Sequence, residues 1–102
     1  MYVIDGRLFI WDENKHKENI NKHGVTFQEA ATAILEPNAF SSYDFEHSIY
    51  EERYRVLGYS KQSRLLLVCH CYGNGESITR IFSARKANKA EIDQYYEEVG
   101  YE

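Results

Sequence analysis

The period of apolar positions changes several times along the chain, and each change predicts an element. Leu8-Phe9-Ile10-Trp11 is a short apolar run that reads as a strand. Asp12 then stands where it can N-cap a helix that the Gly24 stop signal ends. This helix is polar: Ile20 is its only aliphatic residue, and Lys15, Asn19 and Lys22/His23 fall on one stripe. Thr26-Phe27-Gln28-Glu29 has the form of a capping box, with Val25 and Ala30 at hydrophobic-staple positions. Phe27, Ala30, Ala31, Ile34 and Leu35 repeat at helical spacing, which predicts a second helix to about Glu36, where Pro37 blocks continuation. The following Ser- and Asp-rich stretch, containing His47, reads as a loop.

From Tyr50 the period becomes two, with Arg53, Arg55 and Leu57 alternating against Tyr54, Val56 and Gly58. Lys61-Gln62-Ser63 reads as a turn, and Arg64 to Tyr72 is nearly continuous and apolar, as a strand buried on both faces would be. Gly73-Asn74-Gly75 predicts a hairpin turn into an antiparallel strand from Ser77 to Ser83. A last helix has Asn88 as N-cap and Glu91 at its third position, with Ile92, Tyr95, Tyr96 and Val99 along one side to pack it onto the sheet. Glu97 to Glu102 reads as a frayed end. The predicted order is β-α-α-β-β-β-α, an α+β protein whose antiparallel sheet is packed by two N-terminal helices and one C-terminal helix.

Composition narrows the picture. A chain of 102 residues with one proline predicts a single domain, 1–102, with its own core. Cys69 and Cys71 are two apart on one strand, a poor spacing for a bridge, and the intervening His70 does not complete a zinc set, so packed thiols and no metal are expected. His16 reads as a surface residue and His70 as a sheet residue. Residues 1–11 have neither a signal-peptide pattern nor a run long enough to span a bilayer, which predicts a cytoplasmic protein with no membrane association. The net charge of −4 is segregated: residues 53–89 carry eight basic side chains against the single acid Glu76, while the segments on either side are acidic. A basic face on an acidic protein follows, to which a polyanion would respond locally.

Trp11-Asp12-x-x-Lys15-x-x-x-Asn19-x-x-Lys22-His23-Gly24-Val25-x-Phe27-x-Glu29-Ala30, then Glu52-Arg53-Tyr54 with Gly58, then Arg80-Ile81-x-Ser83-Ala84-Arg85, resemble the BrnT family of toxins in order and spacing. Phe82 stands where the family usually has an aliphatic residue, which reads as a core exchange. The resemblance implies a RelE-like fold, a ribonuclease activity that stops translation, and a BrnA antitoxin that covers the toxin. It also implies operator DNA binding only through the toxin–antitoxin complex.

Cleaving RNA without a metal or other cofactor requires a base for the 2′-hydroxyl, cationic donors for the phosphorane, and an acid for the departing 5′-oxygen. Arg53, Arg80 and Arg85 are the candidates for the phosphate, because a guanidinium donates two parallel hydrogen bonds and stays charged. His23, His47 and Glu52 are the candidates for proton transfer. Lys15, Lys22, Arg55, Ser83 and Lys86 are candidate RNA contacts. Lys22-His23-Gly24 is equally explained as a helix C-terminus, and Tyr95 or Tyr96 as helix packing with base stacking the less expected role. Two function classes remain: a ribonuclease toxin, or a catalytically silent module that binds an antitoxin or another acidic partner. Direct DNA reading ranks last, since helix one mixes acids with bases.

Overall fold

The computed structural model describes residues 1–73 and 77–100. The expected turn at Gly73-Asn74-Gly75 and the last residues of the tail at Glu97 to Glu102 lie partly outside them. The order is β1 (Tyr2–Ile4), β2 (Arg7–Ile10), α1 (Glu13–His23), α2 (Phe27–Ile34), β3 (Phe40–Tyr43), β4 (Tyr54–Tyr59), β5 (Leu65–Gly73), β6 (Ile78–Lys86) and α3 (Lys89–Val99). The α+β class and the three helices agree with the sequence. Two strands are additional. β1 is joined to β2 by Asp5-Gly6, both at positive φ, the two-residue turn that an Asp-Gly pair favours. β3 falls in the stretch read as loop and pairs antiparallel with β4.

The six strands lie in the order β1-β2-β6-β5-β4-β3. β2 runs parallel to β6, so the sheet is mixed and not antiparallel throughout. Strand β6 also runs three residues past the expected end at Ser83, and the reason is a bulge. Cys69 on β5 pairs with Ser83, but His70 pairs with Ile81, leaving Phe82 as the extra residue. The phase of the strand slips there: Thr79 and Ile81 are buried before the bulge, Ala84 after it. Arg80 and Arg85, which strict alternation would send to opposite faces, therefore share one.

One face of the sheet packs against α1 and α2 through Phe9, Val25, Phe27, Ala30, Val56, Leu66, Val68, Ile81 and Ala84. Each buried phenylalanine contributes roughly 2–3 kcal/mol over an exposed one. Gly58 lets α2 approach β4, since a Cβ there would sit 2.3 Å from the Ala33 carbonyl oxygen. The other face carries a smaller cluster, Leu57, Leu65, Leu67 and Tyr95, beneath α3. Tyr95 is buried and donates to Glu36 (2.8 Å), which places it in packing.

The caps are those of the sequence, with one change. Asp12 accepts from the Lys15 N–H, and Gly24 closes α1 at φ 66°. Thr26 accepts from the Glu29 N–H, but the Glu29 carboxylate does not complete the box; it pairs with Arg64 and accepts from Ser60 (2.7 Å). The Arg64 and Ser60 bonds hold the Glu29 carboxyl below its usual range against its burial. Asn19 is the buried member of the polar stripe. Its amide donates to the Ala84 carbonyl (2.8 Å) and accepts from the Ala84 N–H (3.0 Å), acting as a neighbouring strand where β2 has ended. His16, expected at the surface, is buried and stacks on Phe27 (4.9 Å between ring centres) beside Trp11. The imidazole fills space between rings that the polar helix leaves apolar.

Candidate functional site

The face of the sheet that carries α3 continues beyond that helix as an open cleft of about 710 Å³. Its floor is strand residues: Arg55 and Leu67, Cys69, Phe82 at the bulge, and Ser83 and Arg85 after it. Lys15 enters from α1, and Tyr43 to His47 with Arg53 form the wall toward β3 and β4. Six of the residues singled out from sequence thus meet here: Lys15, His47, Arg53, Arg55, Ser83 and Arg85. Arg80 reaches the same ring as the cleft cations, 5.6 Å from the Phe82 centre.

Phe82 is not a core exchange. It is half-buried in the cleft, with the Arg53 guanidinium stacked 4.0 Å from its ring centre and the Lys15 ammonium 5.9 Å away. A ring face attracts cations, so Phe82 gathers like charges that would otherwise repel each other. Arg53 makes only a long bond to Glu51 (3.3 Å), leaving most of its donors unused among the described residues.

Arg85 is held differently. Both of its terminal nitrogens donate to Glu91, at 2.8 Å each, and Arg55 adds a longer bond of 3.4 Å. The same carboxylate accepts from the Asn88 N–H (2.9 Å) in a complete capping box. Burial pushes the Glu91 carboxyl up, but the Arg85 bonds, the Asn88 N–H and the charge of both arginines prevail, so it lies below the usual range. Arg85 is raised correspondingly by its bond to Glu91. Arg85, a candidate for the phosphate, is therefore engaged first by an internal carboxylate.

His47 lies at the cleft wall with Nδ1 2.9 Å from the buried carboxylate of Asp44. Nδ1–H donates to the Asp44 carboxylate in the tautomer that fits this contact, and the neutral ring then presents Nε2 as an acceptor. The loop that carries the pair is closed by Asp44 N–H to the Arg53 carbonyl (2.9 Å), and the Ser48 hydroxyl accepts from the Arg53 N–H (2.9 Å). A proton carrier, an orienting carboxylate and several cations thus share one cleft.

Other candidates lie elsewhere. Glu52 is exposed and does not line the cleft; its neighbour Glu51 is the acid that meets Arg53. Lys22 and His23 form the exposed last turn of α1, where their charges complement the helix dipole. Lys86 alternates away from the cleft at the end of β6. Cys69 lines the floor; Cys71, next on the same face, has its thiol pushed up by burial and by Glu51. Sequence reasoning missed Asp44, Glu91 and Phe82 as site groups. The three-residue spacing of Asp44 and His47 was a usable signal, whereas the Glu91–Arg85 contact depends on how α3 returns to β6.

Among the described residues no helix is long and apolar enough to cross a membrane, and no three His, Cys, Asp or Glu side chains are grouped to hold a metal ion. A family model described as the ribonuclease toxin BrnT of type II toxin–antitoxin systems matches residues 11–91. A crystal structure of the Brucella abortus ribonuclease toxin BrnT is similar at a TM-score of 0.63 with 22% identity, over 81% of this chain and 99% of that one. No curated protein matches.

Proposed function

The chain belongs to the BrnT family of ribonuclease toxins of type II toxin–antitoxin systems, and we propose on that footing that its cleft cleaves RNA by intramolecular attack without a metal. The observation that carries the reading is the His47–Asp44 pair opening on the same cleft as Arg53, Arg55, Arg85 and Lys15. His47 Nε2 takes the proton of a 2′-hydroxyl, whose oxygen bonds to the adjacent phosphorus. The P–O5′ bond breaks to leave a 2′,3′-cyclic phosphate, and the 5′-oxygen takes a proton from Lys15. Arg53, with donors to spare, meets the charge on the phosphorane, and Arg80 and Arg85 extend that positive field. Arg55 and Ser83 contact the flanking RNA.

The outcome for the cell is arrested translation in the cytoplasm. A BrnA-like antitoxin neutralises the toxin by covering the cleft, and operator DNA is bound only by the complex. The fold takes the RelE-like label that the family resemblance implies.

The saturated Glu91 carboxylate favours a second reading, in which the arginines bind an acidic partner and no catalysis survives. Cleavage of end-labelled RNA, with and without ribosomes, separates the two. Wild type should cut, and His47→Ala and Arg53→Ala should lose at least 100-fold in rate, on the order expected of a general base or an oxyanion donor, while melting as cooperatively as wild type. Intact RNA in both settings would leave the binding module.

A further inference from the structure

Phe45 is a large apolar ring left 84% exposed on the wall of a cationic cleft. It is not loosely held. Tyr43 meets it edge-on at 4.6 Å between ring centres, and Tyr54 backs Tyr43 at 5.7 Å, stacking in turn on the buried His70; by strand register these three rings lie on the α1/α2 face, so Phe45 is anchored at the rim where the cleft meets the β3 edge. The loop behind it is fixed by the Asp44–Arg53 backbone bond and by Ser48, which also donates to the Asp44 carbonyl. A rigidly backed ring facing solvent, two residues before His47, is a platform without a load.

We propose that Phe45 is a stacking platform for one unpaired base of the RNA substrate, placed so that the neighbouring phosphates reach Arg53, Arg55 and Lys15. The inference rests on the ribonuclease reading and adds its substrate class, single-stranded RNA. A flat apolar surface beside several cations matches a nucleotide, which is a flat base joined to an anion. The loop itself argues against phosphate contact, since Asp44 and Glu46 line the cleft beside Phe45, so a base and not the backbone belongs there. A base in a duplex is already stacked on both faces and cannot be offered to the ring.

The test is fluorescence anisotropy with a labelled 2′-O-methyl RNA decamer, which cannot be cleaved, offered as a single strand and as a duplex, beside cleavage of the unmodified strand. Because Phe45 is exposed, Phe45→Ala should melt like wild type. It should bind the single strand roughly tenfold more weakly, the loss expected of one base stack, and raise KM more than it lowers kcat. Phe45→Trp should restore binding, and its added fluorescence should be quenched by the strand. Equal binding and equal KM for Phe45→Ala in an enzyme that cuts would overturn the platform and leave the ribonuclease. Duplex bound as tightly as single strand would also overturn it. Wild type that binds the strand through Phe45 but never cuts would instead retire the catalytic reading alone.

Discussion

Arg85 and Glu91 face each other through two parallel hydrogen bonds of 2.8 Å, across the gap between the last strand and the last helix. The pair locks α3 to the sheet at the edge of the cleft and sets the direction of the guanidinium. Removing either partner should destabilise the protein by about 2 kcal/mol, as expected for hydrogen bonds to a charged group on a half-exposed arginine. The double variant Arg85→Ala/Glu91→Ala should cost less than the two single changes together, read by urea melts in a double-mutant cycle. Since the Glu91 carboxyl lies below its unfolded value of 4.5, this contribution is complete above that pH and fades as pH falls through the folded value. An additive cycle would show the contact to be energetically idle.

His70 gives a second pH dependence at higher pH. Burial, with a contribution from Arg7, lowers it to about 4 from 6.5, so the unfolded chain binds a proton in this window that the folded chain refuses. Stability should be full above pH 6.5 and fall by on the order of 3 kcal/mol as pH drops to about 4. His70→Phe should flatten the curve between pH 6.5 and 4.5, above the range in which Glu29 and Glu91 titrate. Chemical denaturation at half-unit pH intervals reads this directly, and an unchanged slope in the variant would assign the acid sensitivity elsewhere.

Asn19 replaces a strand with a side chain. Asn19→Ala leaves the Ala84 N–H and carbonyl and the Val25 carbonyl without their partner, at a cost of about 3 kcal/mol. Asn19→Asp keeps the acceptor for Ala84 N–H but loses both donors, so it should not rescue the protein. A melt of Asn19→Asp that matches wild type would contradict the pairing.

Much of the fold was legible because caps and periods are local. Asp12, Gly24, Thr26 and Asn88 announce helix ends by their own chemistry, and the alternation after Tyr50 is that of β4. The strands that escaped notice are short. β1 carried the Asp-Gly turn signal but has only three residues, and β3 spends two of its four on serines. The parallel pairing of β2 with β6 joins segments about seventy residues apart and leaves no local mark. In the candidate site, arginine chemistry points to Arg53 and Arg85 and histidine chemistry to His47, three residues that line one cleft. The bulge that unites Arg80 with Arg85 is a one-residue slip between two strands, invisible to the periodicity of either. That Glu51 and not Glu52 meets Arg53 has no mark in the sequence, because identity alone cannot say which way a loop side chain turns.

The parallel pairing also governs how the chain is made. Residues 8–10 are synthesised about seventy residues ahead of their partners at 78–80, and Asn19 waits for Ala84. Contacts between such distant segments form slowly, because a long loop must close before anything rewards it. A nascent chain therefore leaves the ribosome with its cationic cleft still unassembled, since Arg53 and Arg85 become neighbours only when the last strand has entered the sheet. If the cleft is the site of cleavage proposed above, this ordering means that the growing polypeptide has no means of cutting until Arg85 has joined the sheet.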